Sequence, residues 1–140
     1  MKKPMWIVLM ILIASAFVLS ACGSAATPVP DKPVPADYAG KTNPFAGQSD
    51  AADAGKQIFT DNCATCHGEG GKGDGPAGAS LTPKPANLTV LAPTKQDDFL
   101  NWVVSEGGAA AGKSPSMVAW KGTLSQDEVW QVITYIRTLN

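Results

Sequence analysis

Cys63-Ala64-Thr65-Cys66-His67 sets two thiols three positions apart, with an imidazole directly after the second. That spacing attaches c-type haem: the thiols can add to the two vinyl groups of one porphyrin, while the adjacent histidine is carried under the ring to reach iron. Two other chemistries use the same residue types. A redox-active CxxC disulfide usually belongs to a βαβ context, and no convincing strand flanks Cys63. Zinc wants four protein ligands, or three with one open position. His67 is the single histidine of the chain, so Cys63, Cys66 and His67 would have to serve within five consecutive residues. One covalent haem c is the expected cofactor.

The opening residues bear on which ligand could face His67 across the iron. MKKPMWIVLMILIASAFVLSAC begins with Lys2 and Lys3, runs apolar from Met5 to Leu19 and ends on small residues, the layout of a secretory signal. An apolar run of about 15 residues is short against the roughly 20 needed to span a bilayer. Leu19-Ser20-Ala21-Cys22 resembles the lipobox of bacterial lipoproteins, which implies that residues 1–21 are removed and that Cys22 becomes a lipid-bearing N-terminus. A lipid there accounts for the odd cysteine among three. Such a chain lies at the extracytoplasmic, periplasm-side face of a bacterial membrane, where covalent haem attachment takes place. The cut leaves nine basic against twelve acidic residues, a formal charge of −3, and nothing in this balance suggests a nucleic-acid partner.

The same cut removes Met1, Met5 and Met10, leaving Met117 as the only methionine. A lone methionine is ordinarily a core gap-filler. Met117, however, lies 50 residues after His67 in a Gly-, Ser- and Pro-rich stretch with no amphipathic stripe to join. With no second histidine available, Met117 is the expected distal ligand.

The residues leading to Met117 offer a competing chemistry. Gly107 to Ser114, GGAAAGKS, satisfies the phosphate-cradling pattern GxxxxGK[ST]. That pattern works between a strand and a helix of a parallel sheet. Only 27 residues follow Lys113, too few to complete such a sheet, and Pro115 comes directly after Ser114. Nucleotide binding is therefore not expected, and the glycines and alanines read as a flexible approach that presents Met117.

Three helices should position these groups. Ser49 or Asp50 can cap one through AADAGKQIFTDNC, with Asp53 in its first turn; Thr94 with Asp97 forms a capping box ahead of DFLNWVVSEG, which Gly107 can stop; Ser125 with Glu128 forms another ahead of VWQVITYIRTL. Gly68 to Pro93 is rich in Gly and Pro and reads as loop. Residues 22–48 hold five prolines and few large apolar groups, the composition of an extended tether reaching at most about 80 Å, with Pro44 and Phe45 available to dock on the domain of residues 49–140. So thin a core suggests that something else fills the interior.

CATCH after a helix, GKGDGPAGASLTPKPANLT behind it and SMVAWKGTLSQDEVWQVITYIRTL at the end resemble a class I c-type cytochrome from Pro44 to Asn140. The resemblance implies an all-α fold around one haem, with the first and last helices crossing where Gly55 and Phe59 meet Tyr135 or Trp130. It implies that a proline carbonyl accepts the proximal histidine's hydrogen bond, Pro76 being the matching position and Pro83 and Pro85 the alternatives. Trp120 matches an aromatic near the haem edge, and Val118 stands where relatives often carry proline. Lys72, Lys84, Lys113 and Lys121 fall in segments expected to rim the haem and to guide docking on an acidic redox partner. The function so implied is electron transfer without substrate chemistry. The rival readings are a fixed subunit of a quinol-oxidising or terminal oxidase complex and, if Met117 is displaced, an open-site haem enzyme or gas sensor.

Overall fold

A computed structural model describes residues 31–140, so the signal sequence, Cys22, Pro28 and Pro30 lie outside the described residues. Residues 31–140 form one compact unit. Among them there are helices and no strands: α1 (Ser49–Asn62), α2 (Ala64–His67), α3 (Leu88–Leu91), α4 (Asp97–Glu106) and α5 (Gln126–Ile136), with single 3-10 turns at Gly78–Ser80 and Ala92–Thr94. The expected all-α class is the observed one.

The core forms where α1 crosses α5. Ala51, Gly55 and Phe59 recur every fourth residue on the inner face of α1, and Val129, Val132, Ile133 and Ile136 line the facing side of α5. Phe59, Val129, Val132 and Ile133 are at most 1% exposed, each such burial stabilising by about 1.5–3 kcal/mol. The crossing is close because residue 55 has no side chain: a Cβ there would land on the Gln131 carbonyl and lie 3.0 Å from the Val132 nitrogen. One turn on, Phe59 packs on Tyr135 with ring centroids 5.3 Å apart. Tyr135 is thus the aromatic that the family pattern left open.

The helix starts differ from expectation in two places. At α5 the Ser125 hydroxyl accepts from the Glu128 N–H at 3.3 Å and Glu128 accepts from the Ser125 N–H at 2.7 Å, completing the capping box. At α4 the box does not form. Thr94 ends the preceding 3-10 turn, donating to the Leu91 carbonyl at 2.8 Å, and Gln96 takes the cap position without a side-chain bond. Asp97, free of capping duty, instead accepts from Arg137 at 2.7 Å and from the Asn43 N–H at 3.2 Å. Helix α1 likewise begins at Ser49 behind an uncapped Gln48, with Asp50, not Asp53, in its first turn.

Residues 31–48 also depart from the tether reading. Asn43, 8% exposed, donates to Thr134 Oγ1 at 2.9 Å and to the Trp130 carbonyl at 3.2 Å. The Tyr38 hydroxyl donates to Glu106 at 2.7 Å, and Val34, Tyr38 and Phe45 pack against the core. Residues 31–48 therefore belong to the same compact unit as residues 49–140. Composition correctly indicates that this segment cannot fold alone; it is ordered by the finished surface of α4 and α5. The stretch from Gly68 to Pro93 is likewise not all loop, because the Asn87 side chain accepts from the Thr89 N–H and starts the single turn of α3.

Candidate haem site

The site begins where α1 breaks. Cys63 closes α1 through its N–H to the Phe59 carbonyl at 2.8 Å, and α2 then carries Cys66 and His67 on the next turn. Both thiols are free and half-buried. The following glycine-rich loop covers the back of this turn: the N–H groups of Gly73, Gly75 and Ala77 donate to the carbonyls of His67, Cys66 and Thr65 at 2.7, 3.2 and 3.0 Å. Gly75 permits this approach, since a Cβ there would sit 2.5 Å from the Thr65 oxygen. The backbone of the motif is thereby fixed by three hydrogen bonds from the loop that follows it.

His67 Nδ1 lies 3.1 Å from the Ala86 carbonyl. A carbonyl only accepts, so Nδ1 carries the proton and Nε2 keeps its lone pair, fixing the tautomer that can ligate iron. Burial lowers the His67 pKa, partly opposed by the bond to Ala86, and favours the neutral imidazole. The acceptor corrects the expectation of a proline. Pro76 is exposed and stands on the far side of the CATCH turn, with Ala64 and Gly75. The carbonyl after Pro85 is presented instead because the Leu88 N–H is tied to the Gly71 carbonyl at 2.6 Å, which draws residues 85–88 along the histidine.

The surroundings of Cys63 favour its protonated thiol. A redox-active CxxC needs a thiolate of low pKa, whereas burial, with the neighbouring Cys66, pushes the Cys63 thiol up to about 12. Among the described residues no group of three or more His, Cys, Asp or Glu side chains is placed to hold one metal ion. Two free thiols beside an imidazole with one engaged nitrogen are the donor set that haem c requires.

Met117 is carried on the loop that leaves the end of α4. Gly107, with φ of +81°, turns the chain out of the helix. The Gly108 N–H then donates to the Met117 carbonyl at 2.9 Å, the Lys113 N–H to the Gly108 carbonyl at 2.8 Å, and the Met117 N–H to the Ser114 carbonyl at 3.3 Å. Beyond Met117, the Trp120 N–H bonds back to the Val104 and Ser105 carbonyls, both at 3.1 Å. The flexible approach expected from composition is thus a closed, internally bonded loop with both ends on α4. Met117, Trp120 and Cys63 are half-buried against the same core. GGAAAGKS follows a helix and leads into irregular chain, not the strand-to-helix frame of a phosphate loop.

The four lysines divide. Lys72 and Lys84 are exposed. Lys113 pairs with Asp31 at 2.7 Å and Lys121 with Glu106 at 2.7 Å. Lys113, then Lys95, holds Asp31 below the usual carboxylate range; Lys121, then Tyr38, does the same to Glu106. The charge that Lys113 and Lys121 offer a partner is correspondingly reduced.

Asn101, unmarked by any sequence pattern, is 0% exposed on α4, and neither of its side-chain polar atoms has a partner. An unsatisfied buried amide costs about 1–3 kcal/mol. Asn101→Leu is expected to raise the stability of the haem-loaded protein by about 1 kcal/mol in denaturant titration. A loss of stability would show that the loaded protein engages the carboxamide.

A helical chain wrapped around a CxxCH turn, with a methionine loop returning from a later helix, defines a class of haem protein. The family model described as cytochrome c matches residues 52–140, and the chain belongs to that family. It is 36% identical over 88 residues to a cbb3-type cytochrome c oxidase subunit FixPc of Rhizobium leguminosarum bv. viciae, covering 63% of this chain and 28% of that protein. It is 35% identical over 84 residues to cytochrome c6 of Euglena gracilis, covering 60% of this chain and 87% of that one. The chain therefore spans about a third or less of the FixP-type relative and most of the c6. Cytochrome cL from Methylophaga aminisulfidivorans MPT shares the fold, with a TM-score of 0.55 and 17% identity over 82% of this chain and 71% of that one. The protein is a class I monohaem c-type cytochrome with one covalently bound haem c.

Proposed function

We propose that this cytochrome is a membrane-tethered electron carrier in which Cys63 and Cys66 would bond the haem, His67 and Met117 would supply the side-chain donors to its iron, and Cys22 would carry a lipid. When bound, the haem would supply a one-electron couple, which a sulfur donor from Met117 beside the nitrogen donor of His67 would bias toward the reduced state. The polypeptide keeps the donors still: the Ala86 carbonyl orients the imidazole, the Gly68–Gly78 loop backs the thiol turn, and the bonded loop holds Met117. The observation that carries the reading is Met117, the single methionine among the described residues, half-buried on a loop in which the Gly108 N–H donates to the Met117 carbonyl at 2.9 Å. With His67 and Met117 both holding the iron, the haem would have no position open to a substrate. Contact with a redox partner would be small, below about 1,200 Å², with Lys72 and Lys84 best placed to meet acidic groups.

No helix among the described residues is long and apolar enough to cross a membrane, so the proposed attachment rests on Cys22. Cys22→Ala is expected to move the haem-stained protein from the membrane fraction to the soluble extracytoplasmic fraction. Retention in the membrane by the variant would refute the lipid anchor. A second reading is favoured by the relatives whose names are cbb3-type cytochrome c oxidase subunits: the domain would serve as a fixed electron entry point of a terminal oxidase. Extraction in mild detergent separates the two, since a carrier travels alone and a subunit travels with the oxidase.

A further inference from the structure

The segment misread as tether ends on the loop that carries Met117. The Asp31 carboxylate bonds Lys113 at 2.7 Å and also pairs with Lys95, just ahead of α4. The Lys32 ammonium donates to the Ala110 carbonyl at 3.3 Å, and its carbon stem lies across the bare face of Gly112, 3.2–3.6 Å from where a Cβ would be. Asp31 and Lys32 thus touch Ala110, Gly112 and Lys113, the outer arc of a loop whose inner arc is closed by the Gly108–Met117 and Lys113–Gly108 bonds. The rest of the strap is fixed elsewhere: Tyr38 to Glu106, the Gly40 N–H to Asp98 at 2.9 Å, Asn43 to α5. Its front end therefore bears on the loop from an anchored base.

We propose that Asp31 and Lys32 are positioning residues that clamp the Met117 loop shut, so that the strap sets how often Met117 can swing away from iron. The inference rests on the reading of Met117 as a ligand. An exposed ion pair ordinarily contributes little, but a loop needs little to be biased. Gly107, Gly108 and Gly112 give it freedom to open, and the contacts of Ala111 and Met117 with the core hold it in place together with the strap. Asp31 is also kept ionised to lower pH than usual by its two lysines.

The test uses the full-length, haem-loaded protein and the double variant Asp31→Asn/Lys32→Met. Two quantities are read: the affinity of the ferric form for imidazole, which binds only when Met117 leaves, and the hydrogen exchange of the Gly108 and Lys113 amides, which close the loop. Both are expected to rise about fivefold, while exchange at Val132 and Ile133 in the core is unchanged. Tyr38→Phe removes one of the three bonds that anchor the base of the strap, keeps those of Gly40 and Asn43 and touches no residue of the loop, and is expected to leave both near the parent value. The clamp is overturned if the double variant leaves loop exchange at the parental rate, if core amides accelerate equally, or if Tyr38→Phe gives the same rise. Absence of the methionine-to-iron charge-transfer absorption in the parent would refute the ligand reading alone, with loop exchange still deciding for or against the clamp.

Discussion

Met117→Ala is expected to leave haem covalently attached and yet abolish the function. Cys63 and Cys66 lie on a turn held by α1 and the Gly68–Gly78 loop, none of which depends on residue 117. What goes is the sulfur donor. The reduction potential should fall by on the order of 0.1 V, a modest part of the roughly 0.8 V that axial ligands span, and the reduced iron should bind carbon monoxide readily. The loop itself should persist, because the Gly108 and Lys113 bonds are made by backbone groups. Redox titration and carbon monoxide difference spectra check both effects. An unchanged potential would mean that another group ligates iron.

The second large effect concerns a position with no chemistry. Gly55→Ala should gain about 1 kcal/mol from helix propensity in α1. Against this, the added methyl would occupy the Gln131 carbonyl and crowd the Val132 nitrogen, which are backbone atoms of α5 that no rotamer change can move aside. Separating the helices would loosen Phe59 from Tyr135 and open the core at Val132 and Ile133. A net loss of about 3 kcal/mol or more is expected, a large share of the 5–15 kcal/mol typical of a domain. Guanidinium denaturation of the loaded protein measures it. Gly122→Ala, where a Cβ would meet nothing within 4 Å, is the matched control. Equal stability of the two variants would show that the crossing is not set by residue 55.

What the sequence made legible was local chemistry. CATCH is contiguous, so its spacing alone picks out the thiols and imidazole, whereas the ligand role proposed for Met117 rests on the scarcity of other donors. The Ser125 cap was readable because its partner Glu128 is three residues away and nothing competes for it. Where a distant group competes, local patterns failed. Asp97 could have capped α4 with Thr94, but Arg137, forty residues later, claims it. Ala86, not Pro76, faces His67 because a backbone bond between Leu88 and Gly71 sets the path of the chain. Residues 31–48 looked unfoldable because their partners are Glu106, Trp130 and Thr134, surfaces that exist only once α4 and α5 are assembled.

The central claim is that His67 and Met117 together hold the haem iron, and the ferric absorption spectrum of the purified, haem-loaded protein tests it most directly. The account predicts the weak methionine-to-iron charge-transfer band in the parent protein and its loss in Met117→Ala. A parent protein that lacks this band and binds carbon monoxide freely when reduced would contradict it, and would place the protein among open-site haem enzymes or gas sensors.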